Sequence, residues 1–240
     1  MGNGNGVATV IQQVLIVALC LASFGVSSET INDPYEAFNR KSQNFNDAAD
    51  KRVMRPVASA YIRFLPGLVR RSIGGLYGNL QDTGDAINNL LQGKPSDFLS
   101  DVFRVSINTS IGLGGIFDPA GSLGFDDHDE DFAQTLATWG IPRGPYLVLP
   151  IVGPSSLRDV FTIPLSGAVD PLLYLRPIYH RSALSVMRLI DNRADLLGTE
   201  KVVFGDRYLF FRDAYLQRRR YLELDGHVNE DPFADEFDDF

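Results

Sequence analysis

Hydrophobic residues along this chain recur mostly at three- and four-residue spacing, the period of amphipathic helices. The longest such run lies between Leu68 and Gln92, where Val69, Ile73, Leu76, Tyr77, Leu80, Ile87 and Leu91 share one face. Gly93-Lys94-Pro95 stops it, and Ser96 caps a following helix that carries Phe98, Leu99, Val102, Phe103, Ile107 and Ile111. Upstream, Asn32-Asp33-Pro34 offers a helix start, and Tyr35, Phe38, Ser42 and Phe45 form the stripe behind it. Val53 to Phe64 is also helical in pattern, and Pro66 ends it. Downstream, helices are expected over Glu130 to Thr138 with Gly140 as C-cap, over Pro177 to Leu197 up to Gly198, and over Asp206 to Leu224. The plain reading of each stripe is a packing face.

The stretch from Asp101 to Asp159 interrupts this regularity. It holds a glycine cluster (Gly112, Gly114, Gly115) and a Gly/Pro-rich segment from Gly140 to Pro154. Ile116, Phe117, Tyr146, Leu147, Val148, Leu149 and Ile151 are threaded through it, so special backbone conformations are needed in apolar surroundings. Either the protein's own core or lipid must cover them. Tyr146 to Ile151, bounded by Pro145 and Pro154, is the one convincing extended run, and Ser155 or Ser156 offers a cap for a short helix containing Arg158 and Asp159. Ile163 to Leu175 is apolar and punctuated by proline. Gly74, Gly75, Gly78 and Gly84 weaken the long helix but permit another helix to approach closely. Arg104 and Asn108, four residues apart, project from one side of their helix, as a solvent-facing or capping pair or as the lining of a polar path.

A length of 240 residues allows one large domain or two small ones, and 45% hydrophobic residues suffice for a sizeable core. A net charge of -8, from 22 basic and 30 acidic residues, argues against a nucleic-acid partner. Cys20 is the single cysteine, so no intramolecular disulfide forms. Residues 1–28 read as an export signal whose apolar core, Val14 to Ala22, is too short to span a bilayer. Two processing sites are open. Val17 to Cys20 resembles a lipobox, with Leu19 where a small residue is expected, and would make Cys20 a lipid anchor; Val26-Ser27-Ser28 suits ordinary signal peptidase. No basic residue precedes Arg40. The acidic tail, residues 225–240, is expected to be disordered.

Motifs for chemistry fail on inspection. The glycine cluster has Phe117 where a dinucleotide fingerprint needs its third glycine, and no strand precedes it. Asp127, Asp129 and Asp131 match half a calcium loop, but Phe132 and Thr138 occupy the turn-glycine and bidentate-acid positions. A solvated acidic loop that favours the next helix N-terminus is the simpler reading. Ser155 lies in no nucleophile elbow, and His128, His180 and His227 have no partner pattern. No catalytic residue, metal ligand or cofactor is assigned.

Several segments resemble the MlaA (VacJ) family of Gram-negative outer-membrane lipoproteins. The run from Trp139 to Asp159 carries its signature, and Asp33 to Arg40, Arg55-Pro56-Val57, Arg104 through Asn108 to Asp118, and Arg212 to Arg218 agree with it in the same order. The resemblance implies a mostly α, single-domain helical ring over residues 29–224, lying in the periplasmic leaflet of the outer membrane around an amphipathic channel. The implied function is removal of mislocalised phospholipid from the outer leaflet, with no chemistry on the lipid. The implied partners are phospholipid, a trimeric outer-membrane porin and a soluble periplasmic carrier that serves an inner-membrane transporter. Asn108, Trp139, Gly144, Tyr146 and Gly153 become candidates for the channel or its interface, with the Gly140–Pro154 backbone beside it. The alternative is a periplasmic scaffold that binds porin and moves no lipid.

Overall fold

In the computed structural model, residues 33–198 and 205–227 are described. The expected export signal, Cys20 and all but the first three residues of the expected acidic tail lie outside them. Helix α1 (Glu36–Ala49) runs through a π-helical turn (Asp50–Met54) into α2 (Arg55–Phe64). Then follow α3 (Gly67–Gln92), α4 (Pro95–Ser110), the short α5 (Pro119–Ser122) and α6 (Phe132–Thr138). An antiparallel hairpin of β1 (Tyr146–Leu149) and β2 (Gly153–Ser156) leads into α7 (Leu157–Val169), a 3-10 turn (Pro171–Tyr174), α8 (Ile178–Leu196) and α9 (Arg207–Glu223).

The expected mostly helical fold with a few non-helical Gly/Pro segments is what the chain adopts. Packing contacts run from α1 to β1, β2, α7, α6, α3, α8 and α2, then through the π-helical turn back to α1. They close on themselves, as a ring requires. Two expectations need correction. Gly153 to Ser156 is a second strand, paired with the first through Tyr146–Ser156 and Leu149–Gly153. The proline-punctuated stretch beyond it is largely helix: Ser156 and Asp159 form a capping box, and α7 continues through Pro164 to Val169. A strong cap and a full first turn let the helix absorb the one backbone bond that Pro164 removes.

The larger correction concerns which way the helices face. The aromatic members of the α1 stripe look outward, with Tyr35, Phe38 and Phe45 exposed, while its fourth member Ser42 is buried beside Asn39 and Gln43. On α3 the buried side chains include Asn79, Asp82, Asp85, Asn88 and Asn89 beside Tyr77 of the apolar stripe, while Val69 and Leu91 at the two ends of that stripe are exposed. On α4, Asp101, Arg104 and Asn108 are inside, and Leu99, Val102, Phe103 and Ile111 are outside. Arg104 and Asn108 therefore do not face solvent. Apolar packing survives in small clusters. Ala58, Tyr61 and Ala194 join α2 to α8, and Tyr146, Val148 and Tyr208 join the hairpin to α9.

Gly74 and Gly84 of α3 lie against Asp191 of α8 and Val169 of α7, as expected of small residues between helices, whereas Gly75 serves the closest approach, to a turn. A Cβ on Gly75 would overlap the carbonyl oxygen of Gly115, and one on Gly115, where φ is 97°, would overlap Asn79. Gly78, one turn on, is exposed with nothing within 4 Å of a Cβ. Gly75→Ala is therefore expected to lower the melting temperature. Gly78→Ala is expected to raise it by the equivalent of up to ~1 kcal/mol, the helix-propensity gain of alanine. Thermal unfolding of the purified variants checks both signs.

Candidate functional site

Amide side chains of α1 hold the hairpin. Asn39 donates from Nδ2 to the Tyr146 carbonyl (3.1 Å) and accepts from the Val148 amide (2.8 Å), so one side chain takes the place of a neighbouring strand. Asn46 repeats this two turns on, donating to the Leu149 carbonyl (2.9 Å) and accepting from the Ile151 amide (2.6 Å). The hairpin tip thus stands clear of the fold, with Ile151 82% exposed at a φ of 69° and Val152 beside it.

Three of the five proposed interface residues belong to this unit. Tyr146 is buried against Tyr208 and Tyr215, at ring-centroid distances of 6.2 and 5.6 Å. Gly144, with φ 71°, lies against Leu157, and Gly153, with φ 96°, ends the hairpin loop. The other two lie elsewhere. Asn108 ties the glycine turn down, donating to Asp118 (2.9 Å) and accepting from the Ala120 amide (3.1 Å). Trp139 is half exposed and donates from Nε1 to the Leu91 carbonyl at the end of α3 (3.1 Å).

Polar groups turned inward find partners across elements, as buried polar groups must. The Arg104 guanidinium reaches Asp82 (3.3 Å) and the Phe125 carbonyl (3.0 Å). Asp101 accepts from Asn89 (2.7 Å) and meets His128 Nδ1 (2.6 Å). Thr135 donates to Asn88 (2.8 Å), and Tyr61 donates to Asp191 (2.6 Å). Arg158 is almost wholly buried beside Glu223 and donates to the Ile141 carbonyl (3.0 Å). The acidic loop is more than a solvated one. Asp131 caps α6 and pairs with Arg219 (2.6 Å), and Glu130 pairs with Lys94 (2.9 Å).

A cavity of about 290 Å³ opens against this network. Its walls are α3 (Leu80, Gly84, Asp85, Asn88), the acidic loop with Phe132, the end of α7 (Ser166, Gly167, Val169) and Arg188 of α8. None of the five proposed interface residues lines it. Burial pushes the Asp85 carboxyl up to about 9, which the hydrogen bond from the Glu130 amide only partly opposes. Burial likewise raises Asp82, to about 6, against the nearby Arg104 charge. The α3 acids went unassigned on sequence alone, although Asn79, Asp82, Asp85 and Asn89 share helical spacing as well as the apolar residues do. Among the described residues, no cluster of His, Cys, Asp and Glu is placed to hold a metal ion.

A helical chain with many apolar side chains outside and a polar interior tied together by hydrogen bonds and ion pairs defines a class suited to apolar surroundings. The sequence model of the MlaA lipoprotein family matches residues 31–222, and the chain belongs to that family. It is 31% identical over 230 residues to the intermembrane phospholipid transport system lipoprotein MlaA of Escherichia coli (strain K12), covering 91% of this chain and 90% of that protein. It is 30% identical over 210 residues to the Haemophilus influenzae protein of the same name, covering 83% and 82%. A Rickettsia conorii protein is 38% identical over 188 residues, covering 77% and 75%. A solved structure from work on maintenance of bacterial outer membrane lipid asymmetry superposes with a TM-score of 0.71 at 30% identity, covering 80% of this chain and 99% of that one.

The Asp85 carboxyl fixes a pH response. Folded, it holds its proton up to about 9, whereas the carboxyl's ordinary value is 3.8, so the folded state binds more protons between these limits. Its contribution to stability therefore falls as pH rises through that window. Asp85→Asn removes this loss. The melting temperature of Asp85→Asn relative to the parent is expected to rise between pH 5 and pH 8, and a pair of melting series checks it.

Proposed function

We propose that this protein withdraws phospholipid mislocalised in the outer leaflet of the Gram-negative outer membrane and passes it to a soluble periplasmic carrier. The observation that carries this is the inverted polarity. Phe64 and Ile111 are 76% and 70% exposed while Asn89 and Asp101 are almost completely enclosed. Exposed apolar area costs roughly 25 cal/mol per Å² in water and nothing comparable in hydrocarbon. No described helix is long and apolar enough to cross a membrane. The apolar rim therefore suits embedding in one leaflet, the periplasmic one. Helices and a hairpin whose backbone groups are paired tolerate that setting.

The polar interior gives a lipid head group a route while acyl chains keep to apolar surroundings. The protein acts as a binding and transfer device and not as an enzyme. The hairpin around Gly144, Tyr146 and Gly153, with Trp139 and Asn108, frames the interface side of that route. A porin is the proposed membrane partner. An acyl chain on Cys20 would add an anchor, but a single chain binds a bilayer only marginally, so the rim carries most of the attachment.

Outer-leaflet phospholipid is expected to rise when the gene is deleted and to return to the parent level when the gene is restored. Restoring it as Phe64→Glu/Ile111→Glu, which charges the rim and leaves the interior untouched, is expected to move protein out of the membrane fraction and leave the phospholipid high. An unchanged outer leaflet on deletion, with porin still co-purifying, would instead identify a scaffold.

A further inference from the structure

We propose that Asp85 is a head-group subsite, at which its free carboxylate oxygen accepts hydrogen bonds from the primary ammonium of an ethanolamine phospholipid in the cavity between α3, α7 and α8. This rests on the lipid-transfer reading and deepens it by naming the head-group chemistry.

Asp85 is 2% exposed. Its Oδ1 accepts from the Glu130 amide at 3.1 Å. Its Oδ2 is buried without a hydrogen-bond partner, and it is the carboxylate oxygen in that position among the described residues. The other acids of the cavity wall are all matched. Asp129 pairs with Arg218 (2.9 Å), Glu130 with Lys94 (2.9 Å), Asp131 with Arg219 (2.6 Å) and Asp170 with Arg188 (2.8 Å). One acceptor of the wall is thus left over, on a residue that scarcely reaches water. A buried carboxylate needs either a proton or a cation. Burial without a cation beside it favours the proton on Asp85 and so raises its carboxyl.

The cavity selects among cations. A hard metal ion takes six or more oxygens, and a single unpaired oxygen does not meet that need. A quaternary ammonium has no N–H to give and is usually met by a cage of aromatic rings, whereas Phe132 is the one aromatic residue on this wall. A primary ammonium supplies N–H donors of the kind the free lone pair requires. The phosphate next to it also finds a partner. Arg188 lines the same cavity, and its buried Nε is without an acceptor although its other nitrogens reach Asp170. The wall therefore offers the two charges of a zwitterionic head group.

The test uses the full-length protein in detergent and three short-chain lipids: phosphatidylethanolamine, phosphatidylcholine and phosphatidylglycerol. Asp85→Asn keeps an oxygen for the Glu130 amide, and a melting curve checks that it folds. Wild type is expected to bind the ethanolamine lipid most tightly. Asp85→Asn is expected to lower the ratio of ethanolamine to glycerol lipid affinity by about ten- to a hundredfold. Equal wild-type affinities for the three lipids, a measurement that needs no variant, would overturn the subsite and leave lipid transfer standing. So would a preference that survives in Asp85→Asn. Binding of none of the three by wild type would overturn both.

Discussion

Every feature of this fold depends on one constraint: the polar groups turned inward must find one another. The amide of Asn39 stands in for a strand, and Arg104 gathers Asp82 and a carbonyl from the acidic loop. Arg219 joins α9 to the cap of α6. Such contacts are not a source of large net stability, because desolvating each charge costs about as much as the pairing returns. They are nevertheless unforgiving, since removing one partner leaves the other buried and unmatched. They therefore specify geometry. A leucine interior tolerates sliding, whereas an interior of amides and ion pairs admits few registers.

That constraint also explains how the exterior can be apolar. In water a chain gains by turning Phe, Leu and Ile inward. Where hydrocarbon is the solvent the gain vanishes, and hydrogen bonding decides what lies inside. The same helices then assemble with the opposite face inward. The small apolar clusters, at α2 with α8 and at the hairpin with α9, mark contacts that exclude both water and lipid.

Helix positions were well marked in the sequence. The long run ending at Gly93-Lys94-Pro95 is α3, and the helix expected from Glu130 to Thr138 begins two residues later, at Phe132, because Asp131 supplies the cap. Their orientation was hidden for a simple reason: a period of 3.6 is the same whether the apolar or the polar stripe faces in. On α3 both stripes were present, and the polar one is buried together with Tyr77 while the ends of the apolar one are exposed. Two elements were missed through proline. Gly153-Pro154 reads as a boundary, yet Pro154 pairs with Val148 in the hairpin, and Pro164 reads as a stop, yet it follows a capping box that holds its helix together. Closure of the contacts into a ring depends on pairs far apart in sequence, such as α3 with α8, which no local pattern contains.

The network also shows where it is deliberately incomplete. Natural structures leave few buried acceptors unmatched, and those they leave tend to sit at functional sites. Most of the carboxylates around the cavity are held by arginine or lysine, so the region had cations available to it. Asp85 stands apart as the acid of the wall with an unmatched oxygen, while Asp82, Asn88 and the amide nitrogen of Asn89 on the same helix are engaged. A protein that satisfied every interior acceptor would have no reason to admit a charged head group. One with several free carboxylates would bind it too tightly to pass it on. A single unmatched carboxylate oxygen lies between these limits, because the proton that burial favours on it competes with the ligand and helps to expel it.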